Sequence, residues 1–193
     1  SMTYAIISDA GTGKSATSKA FSKSNKNTYH LLCSEFWNRK NFLVNLMTKM
    51  GRNYRGLTVS DMIDDVIRQL RKTEKPLIIL DEADKLNDSV LYFFITLYNY
   101  LEDSCGIILT ATNHLEKRIL KGVRMNRKGY NEIYSRIGRK FIALKGITPT
   151  DVAGICRANG VTDNKLIRTI YENSEEDLRR VKRRIHAQLK TMV

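Results

Sequence analysis

The segment Ser8-Asp9-Ala10-Gly11-Thr12-Gly13-Lys14-Ser15 constrains the fold of this chain more than any other stretch of its 193 residues. It matches the pattern G-x-x-x-x-G-K-[ST] at every fixed position except the first, where serine replaces glycine. A short apolar run precedes the segment, and a helical pattern follows it. Small residues at such a junction allow backbone N–H groups to surround a phosphate, and the helix N-terminus adds its positive dipole end. The segment therefore predicts a phosphate-binding loop between a strand and a helix.

The same segment predicts which side chains would hold a nucleotide. The ammonium group of Lys14 would neutralise the β- and γ-phosphates, and the Ser15 hydroxyl would bind Mg²⁺. The cofactors predicted for this site are therefore ATP or ADP and Mg²⁺. Its predicted nucleotide-binding residues are Asp9, Ala10, Gly11, Thr12, Gly13, Lys14, Ser15 and Ala16.

A second apolar run, Leu77–Asp81, ends in an acidic residue and is followed directly by Glu82. This order places two carboxylates at the carboxyl end of a buried strand, where open α/β sheets bind ligands. Asp81 is suited to hold Mg²⁺ through water, and Glu82 to polarise the water that attacks the γ-phosphate. A kinase transfers phosphate to a bound acceptor and has less need of a water-activating carboxylate. Glu82 therefore favours hydrolysis over phosphate transfer.

Short β-rich runs alternate with helical patterns over the first 145 residues, which indicates a parallel sheet wrapped by helices. The predicted strands are Tyr4–Ser8, Thr28–Cys33, Leu77–Asp81, Ile107–Thr112 and Lys140–Leu144. One predicted helix runs from Phe36 to Met50, and another covers Val59 to Leu70 after a cap at Thr58 or Ser60. The predicted fold class is α/β, with a five-stranded parallel phosphate-loop sheet and flanking helices.

After Gly146 the pattern is helical only. Thr148-Pro149-Thr150-Asp151 combines a capping threonine, a proline at the first helical position and an acidic first turn. Further helix starts follow at Thr162-Asp163 and at Ser174-Glu175-Glu176-Asp177. We predict an α/β nucleotide-binding core over residues 1–146 and a small helical lid over residues 147–193.

The net charge is +13, from 33 Lys and Arg against 20 Asp and Glu. Residues 114–193 carry 19 basic and 8 acidic side chains, whereas residues 1–113 carry 14 and 12. This excess favours an acidic partner such as a nucleic acid or a membrane surface. No apolar run approaches the roughly 18–20 residues of a membrane span. The three cysteines lack C-x-x-C spacing, which disfavours a disulfide scaffold or zinc ribbon and predicts a cytoplasmic location.

The phosphate loop and the acidic strand end together resemble the motifs of an AAA+ ATPase. Members of that superfamily carry a polar sensor residue at the end of the strand after the acidic motif, where Asn113 stands in this sequence. They also use an arginine that a neighbouring subunit supplies in trans, just before the last core strand. Ser135-Arg136 resembles that motif, and Arg139 is the reserve candidate.

The lid offers one further resemblance. Asp177-Leu178-Arg179 is similar to the second-sensor pattern Gly-x-x-Arg, although Glu176 stands where glycine is usual. The resemblance implies that Arg179 reaches the γ-phosphate. It implies the following catalytic residues: Glu82, Asn113, Arg136 and Arg179.

Within the superfamily, Thr110-Ala111-Thr112-Asn113 and the lid start Ile147–Asp151 are most similar to the DNA-transposition ATPases of the Mu B and TnsC type. This resemblance implies ATP-dependent assembly into a ring or helical filament on double-stranded DNA, selection of a target site, and recruitment of a transposase. Such proteins have residues before the first strand that help to hold the adenine. Because this chain begins almost at the strand, we expect a shortened ATPase domain with weakened hydrolysis.

Two alternatives remain open at this point. A helicase loader or origin initiator shares the phosphate loop, sensors and finger, and differs mainly in its appended domains. A monomeric phosphate-loop kinase or nucleotide switch would have no use for an arginine supplied in trans.

Basic side chains outside the nucleotide motifs are candidates for contacts with DNA phosphates. They flank the helix that ends near Gly51 or lie in a later loop: Arg39, Lys40, Arg52, Arg55, Arg127 and Lys128. The three histidines, in contrast, are scattered and suggest no metal site. The sequence gives no sign of base-specific recognition, so we expect weak sequence preference.

Overall fold

The computed structural model describes residues 3–191. Within that range the chain forms two compact units. Residues 3–7 and 14–143 form the first unit, and residues 8–13 and 144–191 form the second. None of the helices in these residues is both long and apolar enough to cross a membrane.

A five-stranded parallel sheet forms the centre of the first unit. Its strands are β1 (Thr3–Ile7), β2 (Thr28–Leu32), β3 (Leu77–Asp81), β4 (Gly106–Ala111) and β5 (Phe141–Ala143). Their order in the sheet is β2-β3-β4-β1-β5, and every neighbouring pair is parallel. The predicted fold class is thereby confirmed: an α/β sheet of five parallel strands with flanking helices, followed by helices alone. Because all strands point the same way, the carboxyl ends of β3 and β4 lie at one edge, beside each other.

Six helices and one short turn pack around this sheet. They are α1 (Lys14–Ser24), α2 (Arg39–Lys49), α3 (Val59–Lys72), a 3₁₀ turn (Ala83–Lys85), α4 (Asp88–Leu101), α5 (Asn113–Arg124) and α6 (Tyr130–Arg136). The core between sheet and helices is apolar and includes Ile7, Leu80 and Leu109, all fully buried. Of the two predicted caps of α3, Thr58 and Ser60, the structure has Thr58. Its hydroxyl and the Asp61 side chain bond reciprocally to backbone N–H groups.

The helix predicted from Phe36 starts later than expected, at Arg39. Asn38 accepts a hydrogen bond from the Asn41 N–H, and the Asn41 side chain accepts one from the Asn38 N–H. This reciprocal cap fixes the first turn of α2, so Phe36 and Trp37 lie before the helix begins. Phe36 is 85% exposed, so it lies outside the core as well as outside the predicted helix.

The second unit contains three helices and its own core. The helices are α7 (Pro149–Ala158), α8 (Asn164–Glu172) and α9 (Leu178–Thr191). Thr148 caps α7, with Pro149 in the first turn, and Asp163 caps α8. The buried residues of this core include Val152, Ile170, Val181 and Ile185.

Candidate functional site

Several hydrogen bonds anchor the carboxylate of Asp81 at the carboxyl edge of the sheet. Asp81 ends β3 and is 1% exposed. Its Oδ1 accepts hydrogen bonds from Ser15 Oγ at 3.1 Å and from the buried Thr110 Oγ1 at 2.6 Å. The Glu82 N–H also donates to Oδ1, at 3.1 Å. These donors fix the orientation of the carboxylate, so that the acidic strand end and the first turn of α1 meet at one point.

The pair formed by Ser15 and Asp81 fits the requirements of Mg²⁺. The ion prefers oxygen ligands and keeps several waters, so the Ser15 hydroxyl would suffice as the direct protein ligand. The Asp81 carboxylate, which accepts a hydrogen bond from that hydroxyl at 3.1 Å, would hold a water of the ion. Within residues 3–191, no cluster of three or more His, Cys, Asp or Glu side chains could hold a metal ion alone, so phosphates and water would complete the shell.

His30 is a site residue that the sequence did not reveal. It lies on β2, next to β3, and its Nε2 is 3.2 Å from Asp81 Oδ2. Since an ionised carboxylate can only accept hydrogen bonds, the ring N–H is the donor. The imidazole therefore holds the second oxygen of Asp81, while the hydroxyl donors hold the first.

Glu82 follows Asp81 in a left-handed backbone conformation, with φ +57°. This turn leads the chain out of β3 into the 3₁₀ turn. The Glu82 carboxylate forms an ion pair with Lys85. The hydrogen bond to Glu82 raises the pKa of Lys85, although burial opposes the shift. Glu82 thus lies beside the anchored Asp81, and its charge is balanced by Lys85, a residue to which none of the sequence motifs points.

Asn113 is the first residue of α5, two residues after the end of β4, and it is exposed. The preceding residue, Thr112, caps this helix and is itself held by Asp84. The Thr112 N–H donates to Asp84 Oδ1 at 3.2 Å, and its hydroxyl donates to Asp84 Oδ2 at 3.0 Å. The last acidic residue of the tetrapeptide 81–84 therefore joins the end of β4 to the 3₁₀ turn, which fixes the backbone that carries Asn113.

Arg136 ends α6, away from these contacts. Its guanidinium lies over the ring of Tyr98 in α4, 5.0 Å from the centroid. The Arg136 Nε is buried, and no hydrogen-bond partner for it lies within residues 3–191. Arg139 is exposed and has φ +55°. The two finger candidates therefore differ, because only Arg136 is packed against the helices of its own unit.

A polar network attaches α6 to the rest of the first unit. The Tyr130 hydroxyl donates to Asp88 Oδ1 at 2.8 Å, and Arg118 forms an ion pair with the same carboxylate. Arg118 also donates to the Leu86 carbonyl at 2.6 Å. Burial would raise the pKa of Asp88, but the hydrogen bonds from Tyr130 and Arg118 outweigh burial and lower it. This network fixes the helix that carries Arg136.

In the second unit, the loop of residues 8–13 departs from the usual sequence only at Ser8. Ser8 is buried, and its hydroxyl lies 2.6 Å from the Thr12 hydroxyl. Thr12 in turn donates to the Asp9 carbonyl at 3.2 Å. Gly11 and Gly13 have φ values of +86° and +94°. Residues that carry a Cβ atom rarely adopt this backbone conformation. The serine is therefore accommodated by a hydrogen bond across the loop, while both required glycines are kept.

The loop is also bonded to the start of α9 within this unit. The Leu178 N–H donates to the Gly11 carbonyl at 2.9 Å. A Cβ at Gly11 would overlap the Asp177 carboxylate. Asp177 Oδ1 accepts a hydrogen bond from the Arg179 N–H at 2.7 Å, so it caps the helix. Arg179 is exposed in the first turn of α9.

The candidate DNA contacts lie in different environments. Arg52 is held by Asp65 through two hydrogen bonds, of 3.0 and 3.1 Å, which uses the fork of its guanidinium. Arg39 donates to Ser89, and Arg127 lies over the Tyr130 ring. The remaining three candidates are all exposed: Lys40, Arg55 and Lys128.

The sequence matches the family model described as the AAA domain over residues 2–119, more than half of the chain. The chain belongs to the AAA domain family. The matched range of the AAA domain covers the phosphate loop, the acidic strand end and Asn113. Arg136 and Arg179 lie beyond it. No curated protein sequence matches the chain.

Solved structures show the same fold at low sequence identity. Cdc6p from Pyrobaculum aerophilum is 17% identical, with a TM-score of 0.56 over 79% of this chain and 41% of its own. ORC1 from Aeropyrum pernix, solved in complex with DNA, is 14% identical, with a TM-score of 0.64 over 93% of this chain and 51% of its own. A DNA replication initiation factor is 16% identical, with a TM-score of 0.61 over 96% and 54%. This AAA domain therefore spans about half the length of the structures it resembles.

Proposed function

We propose that this AAA domain binds ATP together with Mg²⁺ and hydrolyses it. The observation that carries the proposal is the hydrogen bond between Ser15 Oγ and Asp81 Oδ1. It brings together the two motifs that phosphoryl-transfer enzymes use to hold a nucleotide and its metal ion. We further propose that residues 1–146 act as the nucleotide-binding core and residues 147–193 as its lid.

Binding would depend mainly on charge and on backbone donors. Lys14 would contact the β- and γ-phosphates, while backbone N–H groups of the segment Asp9–Ala16 surround them. Ser15 would hold Mg²⁺ directly and Asp81 through water, with His30 and Thr110 keeping the carboxylate in place. The ion, when bound, would neutralise charge on the phosphate oxygens.

Hydrolysis would use Glu82 and Asn113. The Glu82 carboxylate would accept a hydrogen bond from the attacking water and polarise it, which requires its release from Lys85. Asn113 would contact the γ-phosphate or orient that water. Arg136, or alternatively Arg139, would reach the γ-phosphate of the ATP bound to a neighbouring subunit. Arg179 would reach the γ-phosphate of the ATP bound to its own chain.

We also propose that the domain assembles in the presence of ATP and binds double-stranded DNA with little sequence preference. A net charge of +13 supports a polyanionic partner. ORC1 from Aeropyrum pernix was solved in complex with DNA, and a resemblance in fold to that protein supports the same class of partner. The arrangement of subunits would be a ring or a helical filament.

Two biological roles are compatible with this activity. The motif resemblance supports a transposition ATPase that selects a target site and recruits a transposase. The fold shared with Cdc6p, ORC1 and a replication initiation factor supports an origin initiator or helicase loader. Capture of a transposase or of a replicative helicase by the ATP-bound protein would separate the two roles.

Isothermal titration with ATP and Mg²⁺ tests the activity. Lys14→Ala should weaken ATP binding at least about 30-fold, or about 2 kcal/mol, because the triphosphate charge loses its cation. Lys19→Ala removes an exposed lysine from the same helix and should leave affinity unchanged. Equal affinities in both variants would overturn the assignment. Electron microscopy with ATP, with and without duplex DNA, tests assembly, and a monomer in every condition would favour a kinase or switch.

A further inference from the structure

Helix α9 carries an unusual distribution of charge. Its residues include six lysines and arginines and no acidic side chain. An apolar stripe at three- and four-residue spacing contains Leu178, Val181, Ile185 and Leu189, and it packs in the core of the second unit. The basic side chains lie on the rest of the helix surface and are exposed.

This charge is not balanced in the way usual for a solvated helix. In α8, Arg168 pairs with Glu172 four residues later. In α9 the pairs at the same four-residue spacing carry like charges: Arg179 with Arg183, and Arg180 with Arg184. Like charges at this spacing destabilise a helix by about 0.2–0.5 kcal/mol for each pair. These arginine pairs therefore lower the stability of α9, and the packing of its apolar stripe does not require them.

The arginines line an open groove on the outer face of α9. Its lining residues are Asn173, Arg180, Arg183, Arg184 and Ala187. Arg180 forms an ion pair with Glu175 at one end. Within residues 3–191, neither Arg183 nor Arg184 has an acidic partner.

We propose that this outer face of α9 binds the phosphate backbone of duplex DNA, with Arg183 and Arg184 as the main contacts. The proposal deepens the proposed function and rests on its DNA-binding part. Guanidinium groups suit phosphates because they offer paired N–H donors. The face is separate from the DNA candidates named above, all of which lie in the first unit.

Two other polyanionic partners fit the same face less well. A basic amphipathic helix binds a membrane by inserting its apolar face into the lipid interface. In α9 that face is already buried, since Val181 is 0% and Ile185 4% exposed. Single-stranded nucleic acid is held largely by stacking of its bases on aromatic rings. Residues 178–191 contain no Phe, Tyr or Trp, which favours a duplex.

Fluorescence anisotropy with a labelled duplex and ATP, measured over a range of salt concentrations, tests this surface. The double variant Arg183→Ala/Arg184→Ala should bind more weakly than wild type. The slope of log affinity against log salt should fall by about 1 for each arginine, since each phosphate contact contributes about 0.9. The control Lys145→Ala/Lys165→Ala removes the same charge from exposed positions of the same unit and should keep the wild-type slope. ATP affinity should be equal in all three proteins.

The outcomes separate this proposal from the proposed function. If wild type binds duplex DNA and the arginine variant has the slope of the lysine control, the α9 surface is wrong and the proposed function stands. If wild type binds no duplex at low salt with ATP present, DNA binding fails as a whole. Stronger binding to anionic phosphatidylserine vesicles than to the duplex, lost in the arginine variant, would overturn DNA as the partner of α9.

Discussion

His30 Nε2 lies 3.2 Å from Asp81 Oδ2, and the bond crosses from β2 to β3. Its effect is to hold one oxygen of the carboxylate while Ser15 and Thr110 hold the other. The strand that follows the phosphate-loop helix thereby supports the acidic strand end. In metal sites, residues that orient a ligand without touching the ion strongly influence affinity.

His30→Ala should therefore weaken Mg²⁺-dependent ATP binding. Loss of such an orienting partner costs about 10–100-fold in metal affinity elsewhere, and we expect a shift of that size. A titration of Mg²⁺ against a fluorescent ATP analogue measures it. His30→Gln retains an N–H donor and should recover part of the loss, whereas the exposed His114→Ala should behave as wild type. Equal Mg²⁺ dependence of His30→Ala and His114→Ala would remove the positioning role.

Glu82→Gln should keep ATP affinity and lose hydrolysis. The amide cannot accept a proton or polarise water as the carboxylate does, so turnover should fall by about 10²–10⁴-fold. Phosphate release at saturating ATP measures the rate. Glu132→Gln, an exposed acidic position on α6, is the matched control. If Glu82→Gln turns over at the wild-type rate, another group activates the water.

Arg136 should act across a subunit boundary. An arginine finger supplied in trans contributes about 10³–10⁵-fold in rate in other phosphoryl-transfer systems. Arg136→Ala alone and Lys14→Ala alone should both be inactive, while a mixture should regain activity at junctions where an intact loop faces an intact arginine. Arg139→Ala in the same mixing experiment distinguishes the reserve candidate. Absence of rescue in every mixture would show that Arg136 does not act in trans.

Asp65 should stabilise the fold at neutral pH. It is buried and accepts hydrogen bonds from Arg52 and Arg68, and chiefly the Arg52 bond lowers the pKa of Asp65. Asp65→Asn should lower the free energy of unfolding by about 1–3 kcal/mol at pH 7. The exposed Asp64→Asn should change it by less than about 0.5 kcal/mol.

The pH dependence of this effect follows from the lowered pKa of Asp65. The stabilisation is complete above the unfolded-state pKa of about 3.9 and disappears as the pH falls through the lower folded-state value. Urea unfolding at several pH values should therefore show wild type and Asp65→Asn converging in acid. If the two proteins differ in free energy of unfolding by the same amount at every pH, the stabilisation does not come from the charge of Asp65.

Local patterns in the sequence were sufficient for most of the fold. The strand Leu77–Asp81 was predicted with its observed bounds, since an apolar run that ends in a carboxylate marks both ends. The sequence limits the cap of α3 to Thr58 or Ser60, and Thr58 is the one observed because its partner Asp61 lies three residues further on. The predicted start of α2 is too early because Phe36 and Trp37 fit the apolar spacing of the helix that follows. The cap formed by Asn38 and Asn41 nevertheless begins the helix at Arg39.

Local sequence patterns do not predict contacts between segments that are far apart in the chain. The bond from His30 to Asp81 requires β2 to lie beside β3, and many strand orders are compatible with the sequence. The same holds for the bonds from Thr112 to Asp84, which join two strand ends. The motifs therefore located Ser15 and Asp81, whereas the residues that orient them became visible only with the topology.

The bond from the Leu178 N–H to the Gly11 carbonyl joins two points separated by nearly the whole chain. On the ribosome, the loop emerges early and the first turn of α9 long afterwards. The contact needs both segments, so it cannot form before α9 has been synthesised. A nascent chain that has already made its sheet would still lack this partner for Gly11. The order of synthesis thus makes the complete phosphate loop one of the last features that the growing polypeptide acquires.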